Sequence, residues 1–72
     1  MSPETVLTVS VNGERRELPT GTTLSALVAS LTRARAGVAA ALNETVVPRG
    51  RWTDTALTDG DRVEVLTAVQ GG

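Results

Sequence analysis

Two glycines, Gly71 and Gly72, stand last in the sequence, so the final reactive group is a carboxylate with no side chain beside it. Such a carboxylate titrates near about 3.3–3.7, which makes it an anion and a poor electrophile at neutral pH. It needs activation before a nucleophile could attack its carbonyl carbon. The sequence contains no cysteine and no histidine. It therefore lacks the usual nucleophile, the usual near-neutral base and the commonest transition-metal ligands. Carboxylates and hydroxyls are present, but none stands beside an evident activating partner. An autonomous enzyme, a bound metal and a tightly held cofactor are all unexpected, and no residue of this chain is assigned a catalytic role. Glycine permits close backbone approach that a Cβ would obstruct. The segment from Ala68 to Gly72, if extended, reaches about 17 Å at roughly 3.3 Å per residue. Gly71 and Gly72 are thus candidates for threading into a partner's active site while the body of the chain stays outside.

Seventy-two residues make one domain, residues 1–72 with a tail over 68–72, and a domain this small buries only about 60% of the surface its unfolded chain exposes. Net charge is −1 and every basic residue is arginine. The arginines are interspersed with acidic residues and Trp52 is the only aromatic, so there is neither a basic stripe nor a stacking platform for nucleic acid. The start has no basic region followed by an apolar stretch, and no apolar run approaches the roughly 18 residues of a membrane span. A cytoplasmic chain, monomeric when free and bound to neither nucleic acid nor membrane, is expected.

The elements that would carry the tail follow from the hydrophobic pattern. Leu7, Val9 and Val11 alternate with Thr8 and Ser10, the period of a strand with one buried face, and Val6 falls out of phase. Asn12-Gly13 tolerates the positive dihedrals of a type I′ hairpin turn. The returning Glu14-Arg15-Arg16-Glu17-Leu18 is charged, which suits an edge strand. Pro19 to Thr22 is turn chemistry with threonines available to cap a helix. Leu24, Leu27, Val28 and Leu31 then form one apolar stripe at i, i+3, i+4, i+7. Gly37 is expected to end the helical region. Val38 to Leu42 reads as a short buried strand, Asn43-Glu44 as a tight turn and Thr45 to Val47 as another strand stopped by Pro48. Arg49 to Thr58 reads as irregular, with Trp52 lying over the edge of the core. Asp59-Gly60-Asp61 is a turn before a final alternating strand.

This order predicts an α+β fold, a ubiquitin-like β-grasp with a mixed four- to five-stranded sheet and one main helix packed on one face. The last strand should lie centrally beside the first. In that strand Val63 and Val65 point one way, while Glu64, Leu66 and Ala68 point the other, onto the sheet's exposed face next to the tail. Leu66 and Ala68 are therefore candidates for a partner surface. Arg49 and Arg62 are candidates for charge complementarity to an acidic partner, against the simpler reading that they are solvated or locally paired.

The run Val38-Ala39-Ala40-Ala41-Leu42, then Asn43, a short strand, Val47-Pro48-Arg49 and Trp52, resembles the small sulfur carrier family of thiamine biosynthesis. Asp59-Gly60-Asp61-Arg62-Val63-Glu64-Val65 and the ending Ala68-Val69-Gln70-Gly71-Gly72 are similar to that family as well, so the resemblance extends from about Val9 to the end. Glu44 stands where the family often has glycine. The resemblance implies that an adenylating, E1-like partner activates Gly72 with ATP. A sulfur-donating protein then leads to a thiocarboxylate, and the sulfur passes to thiazole synthase. Sulfur would ride on Gly72, which reconciles carriage with the absence of cysteine. Three other readings stay open: a sulfur carrier for molybdopterin synthesis, a protein modifier joined through Gly72 to lysines on targets, and an interaction module whose tail is never activated.

Overall fold

Strand, hairpin and helix form where the pattern places them, and the sheet is built around the last strand. A computed structural model describes residues 6–33 and 36–67. β1 (Val6–Val11) turns at Asn12-Gly13 into β2 (Glu14–Pro19), and α1 (Leu24–Leu31) follows. The chain returns as β3 (Val38–Leu42) and β4 (Thr45–Val47), makes a 3₁₀ turn over Arg49–Asp54, and ends in β5 (Arg62–Thr67). The order across the sheet is β2-β1-β5-β3-β4. β5 runs parallel to β1 and antiparallel to β3, so the final strand is central and the charged β2 is an edge, as expected.

Both hairpins turn on asparagine. Asn12 and Gly13 have φ of 52° and 85°, and Asn43 and Glu44 have 51° and 73°. Positive values at both central positions are the requirement of a type I′ turn, whose twist matches that of the flanking strands. Asparagine tolerates this region, whereas Glu44 occupies it against the steric preference of its Cβ.

One face of the sheet is covered. Leu7, Val9 and Val11 of β1, and Val63 and Val65 of β5, are buried against Leu24, Leu27 and Val28 of the helix. Thr23 caps α1 by accepting the Ala26 amide at 3.1 Å, satisfying a donor the first turn leaves free. The helix is shorter than expected. It ends at Leu31, followed by extended Thr32, so Gly37 does not cap it. The segment expected to be irregular also has more order. Trp52, only 5% exposed, donates its indole Nε1–H to the Val47 carbonyl at 2.8 Å, which fixes the 3₁₀ turn under the sheet edge. Leu57 is buried a few residues later. Backbone bonds from the Leu24 amide to the Thr55 carbonyl and from the Leu57 amide to the Thr22 carbonyl tie this stretch to the start of the helix.

Candidate functional site

The uncovered face of the sheet is divided. Because strand side chains alternate, and cross-strand neighbours share a face, the inward Val63 and Val65 place Glu64 and Leu66 outward. Leu66 pairs with Ala39, Glu64 with Ala41, and Ala41 with Val46 across the next ladder. Leu66 is 70% exposed and Val46 is 71% exposed. Between them lies an open depression of about 300 Å³ lined by Ala39, Ala41, Val46 and Leu66, with Glu44 and Glu64 on its rim. A second hollow, bordered by Gly37, Val38, Ala39 and Thr67, lies on the other side of Leu66. Leu66 is thus a ridge between two concavities, one residue before the last described position. The β1–β2 half of the same face is polar, with a hollow over Thr8, Ser10 and Arg15.

The strand that carries Leu66 is held by polar side chains at both edges. At its entry the Asn43 amide donates to the Arg62 carbonyl at 2.7 Å, and the Arg62 amide donates to Asn43 Oδ1 at 2.9 Å. Asn43 Nδ2 donates in turn to Asp61 Oδ1 at 3.1 Å. Asp61 is the buried charged residue among those described. Its carboxylate also accepts from the Thr58 amide at 2.8 Å and the Thr58 hydroxyl at 3.1 Å. Burial works against charge on this group, but the Thr58 and Asn43 hydrogen bonds outweigh it and hold the carboxyl below its ordinary range. Further along, Asn12 Oδ1 accepts the Val65 amide at 2.8 Å and Asn12 Nδ2 donates to the Val65 carbonyl at 3.2 Å.

The candidates from the sequence fall unevenly on this geometry. Leu66 lies on the open face as expected, beside Val46, whose exposure the sequence reading did not anticipate. Arg62 is locally paired, its guanidinium 2.6 Å from Glu44 Oε2. Arg49 stacks over the Trp52 ring at 5.3 Å. Ala68, Gly71 and Gly72 lie outside the described residues. The sequence marks Asp61 and the two turn asparagines only as turn residues. A retrospective signal exists for the asparagines, since glycine would satisfy the same dihedrals and only asparagine adds a donor and an acceptor. Among the described residues no group of acidic side chains is placed to hold a metal, and no helix is long and apolar enough to cross a membrane.

Comparison with known proteins bears on most of the chain. Residues 9–72 match the ThiS family. The sulfur carrier protein ThiS of Escherichia coli (strain K12) is 31% identical over 61 residues, which cover 85% of this chain and 92% of that protein. The thiazole synthase of Magnetococcus marinus is 36% identical over 64 residues, 89% of this chain but 20% of the relative. A thiazole synthase of Paramagnetospirillum magneticum matches similarly, at 32% identity over 62 residues and 19% of its length. The chain therefore spans about a fifth of these two longer proteins. Among solved structures, the thiamine biosynthesis protein ThiS of Geobacter metallireducens superposes with a TM-score of 0.74 at 30% identity, covering 92% of this chain and all of that one.

Proposed function

The chain belongs to the ThiS family, the sulfur carriers of thiamine biosynthesis, and we propose that it works as a protein co-substrate whose Gly72 carboxylate carries the sulfur. In the first step a carboxylate oxygen attacks the α-phosphorus of ATP on an adenylating partner, and pyrophosphate leaves. In the second, the outer sulfur of a persulfide on a sulfur-donating protein attacks the acyl carbon and AMP leaves, giving an acyl disulfide. A thiol then attacks the donor's sulfur, so that the S–S bond breaks, the donor leaves as a disulfide with that thiol and the carrier leaves as a thiocarboxylate. The thiocarboxylate then delivers sulfur to thiazole synthase. ATP is consumed on the partner, so this chain needs no tightly bound cofactor.

The observation that carries the reading is the family match running to Gly72 on a chain with no cysteine and no histidine. Sulfur carried by such a protein has no thiol to ride on. Thiazole synthase as the acceptor is supported by the carrier-like stretch within two thiazole synthases, which also favours the thiamine pathway over molybdopterin synthesis. The docking surface we assign is the apolar half of the open sheet face around Leu66, because it lies directly upstream of the reacting end, and Ala68 is assigned to it from the alternation of the sequence alone. Gly71 and Gly72 are assigned to threading.

Intact-mass measurement tests the chemistry. After incubation with ATP, the adenylating enzyme and a sulfur source, the chain should gain the mass difference between sulfur and oxygen, and removal of Gly72 should abolish the gain. Larger species linked to lysines of other proteins would instead support protein modification. Growth of a carrier-deficient strain without supplied thiazole tests the pathway, and failure to restore it would refute the assignment to thiamine.

A further inference from the structure

β1 and β5 pair in parallel for only a short stretch. Ser10 faces Arg62 and Val11 faces Val63, after which β1 turns away at Asn12-Gly13. Backbone bonds follow the same limit, from the Ser10 amide to the Asp61 carbonyl and from the Asn12 amide to the Val63 carbonyl, both 2.9 Å. The next backbone groups of β5 on this side are those of Val65, which would have no strand beside them. The Asn12 carboxamide takes the place of that strand, accepting the Val65 amide and donating to the Val65 carbonyl. A side-chain amide has the same donor and acceptor pair as a peptide group, so Asn12 extends the ladder by one position. The residue also keeps its turn, because asparagine accepts the positive φ of 52°.

We propose that Asn12 is a positioning residue for tail activation, holding the β1-side edge of β5 at Val65 so that the strand leading to the terminal carboxylate is presented to the partner already ordered. This rests on the proposed adenylation of Gly72. Among the described residues, Thr67 is the last of β5 and pairs with Val38 on the β3 side, and on the β1 side the Asn12 clasp at Val65 is the last hold. Five residues, Ala68 to Gly72, follow Thr67, a reach of about 17 Å if extended. Release of the clasp frees one edge of β5 back to Val63, and the partner must then re-fix backbone that the carrier had supplied already ordered. Fixing about one residue's backbone corresponds to roughly a tenfold change.

Asn12→Gly separates this role from folding, because glycine satisfies the turn while deleting the clasp. Three measurements on the full-length chain decide the matter: amide hydrogen exchange at Val65, binding to the adenylating enzyme without ATP, and ATP–pyrophosphate exchange at saturating carrier. The expected result is faster exchange at Val65, unchanged binding, and an exchange rate about tenfold lower. Asn12→Asp, which keeps an acceptor for the Val65 amide but places a carboxylate oxygen against the Val65 carbonyl, should not restore it. A Val65 amide that stays protected in Asn12→Gly overturns the proposal, as does an unprotected amide with an undiminished turnover. Absence of pyrophosphate exchange with the unaltered chain would overturn the adenylation reading itself, and this inference with it.

Discussion

Replacement of Leu66 isolates docking from folding because the residue contributes almost nothing to the core. Burying a whole leucine side chain is worth about 1.5–3 kcal/mol, and Leu66 is 70% exposed in the free chain. About 1–2 kcal/mol is therefore still available to a partner that covers it. Leu66→Ala should weaken binding to the adenylating enzyme by roughly 5–30-fold. Leu66→Glu should weaken it further, since it adds a carboxylate to the face that already carries Glu64 and would bury that charge among Ala39, Ala41 and Val46. A loss of about 100-fold or more is expected for the charged variant.

Stability should hardly move, because substitutions on an open surface usually stay within about 0.5 kcal/mol. For a domain of this size that is a Tm shift of no more than about 4 °C. Calorimetric titration of the folded variants against the adenylating enzyme, beside thermal melts, measures both quantities. Glu17→Gln, on the far edge strand β2, serves as the control and should leave affinity unchanged. A Leu66→Glu chain that binds within twofold of the parent would refute the assignment of this face. A large fall in Tm would refute the claim that Leu66 is spare to the fold.

Gly72→Ala should slow ATP–pyrophosphate exchange by about tenfold or more, with Tm and binding unchanged, because a Cβ is added at the acyl carbon's own residue; an unaltered rate would reject the threading role. Asp61→Asn should cost about 2 kcal/mol at pH 7, the scale of hydrogen bonds to a charged group, read as a Tm lower by about 10 °C. Since the folded-state pKa of Asp61 is lowered, the stability it adds is complete above the unfolded carboxyl's value and is lost as pH falls through the folded one. The gap between parent and variant in melts should hold from pH 7 to about 5 and close below about pH 4. At position 44, glycine and alanine both delete the Arg62 pair, but only glycine relieves the positive φ. Glu44→Gly should therefore melt about 4–8 °C above Glu44→Ala, a difference of about 1 kcal/mol.

The parts of this fold legible in the sequence are those set by local period and turn chemistry. Alternation in Leu7, Val9 and Val11 and in Val63 and Val65, the stripe of Leu24, Leu27, Val28 and Leu31, and the Asn-centred turns each follow from rules acting over a few residues. Tertiary override accounts for what was not legible. The helix stops at Leu31 and not at Gly37, and the stretch after Pro48 becomes a 3₁₀ turn because the Trp52 indole reaches the Val47 carbonyl. Leu57, in the short Ala56-Leu57 pair between polar residues, has no periodicity to reveal its burial. Leu66 could be placed on the open face from β5 alone, whereas Val46 joins it only through the ladders to Ala41, which are long-range information.

Register is what the whole arrangement must protect. In β5 the inward Val63 and Val65 complete the core, and the outward Glu64 and Leu66 form the candidate docking ridge. A slip of one residue would exchange the two sets, since strand side chains alternate with a period of two. Leu66 would then enter the core and Val65 would face the partner. The slip would also drive Glu64 into the core, which opposes it. Asn43 at Arg62 and Asn12 at Val65 resist it specifically, as each carboxamide engages a backbone amide that a one-residue shift would turn to the opposite edge of the strand. The buried Asp61 orients the first of these asparagines through Nδ2. Polar side chains at the ends of two hairpins thus act with the hydrophobic pattern to determine which apolar residue of β5 reaches the open face.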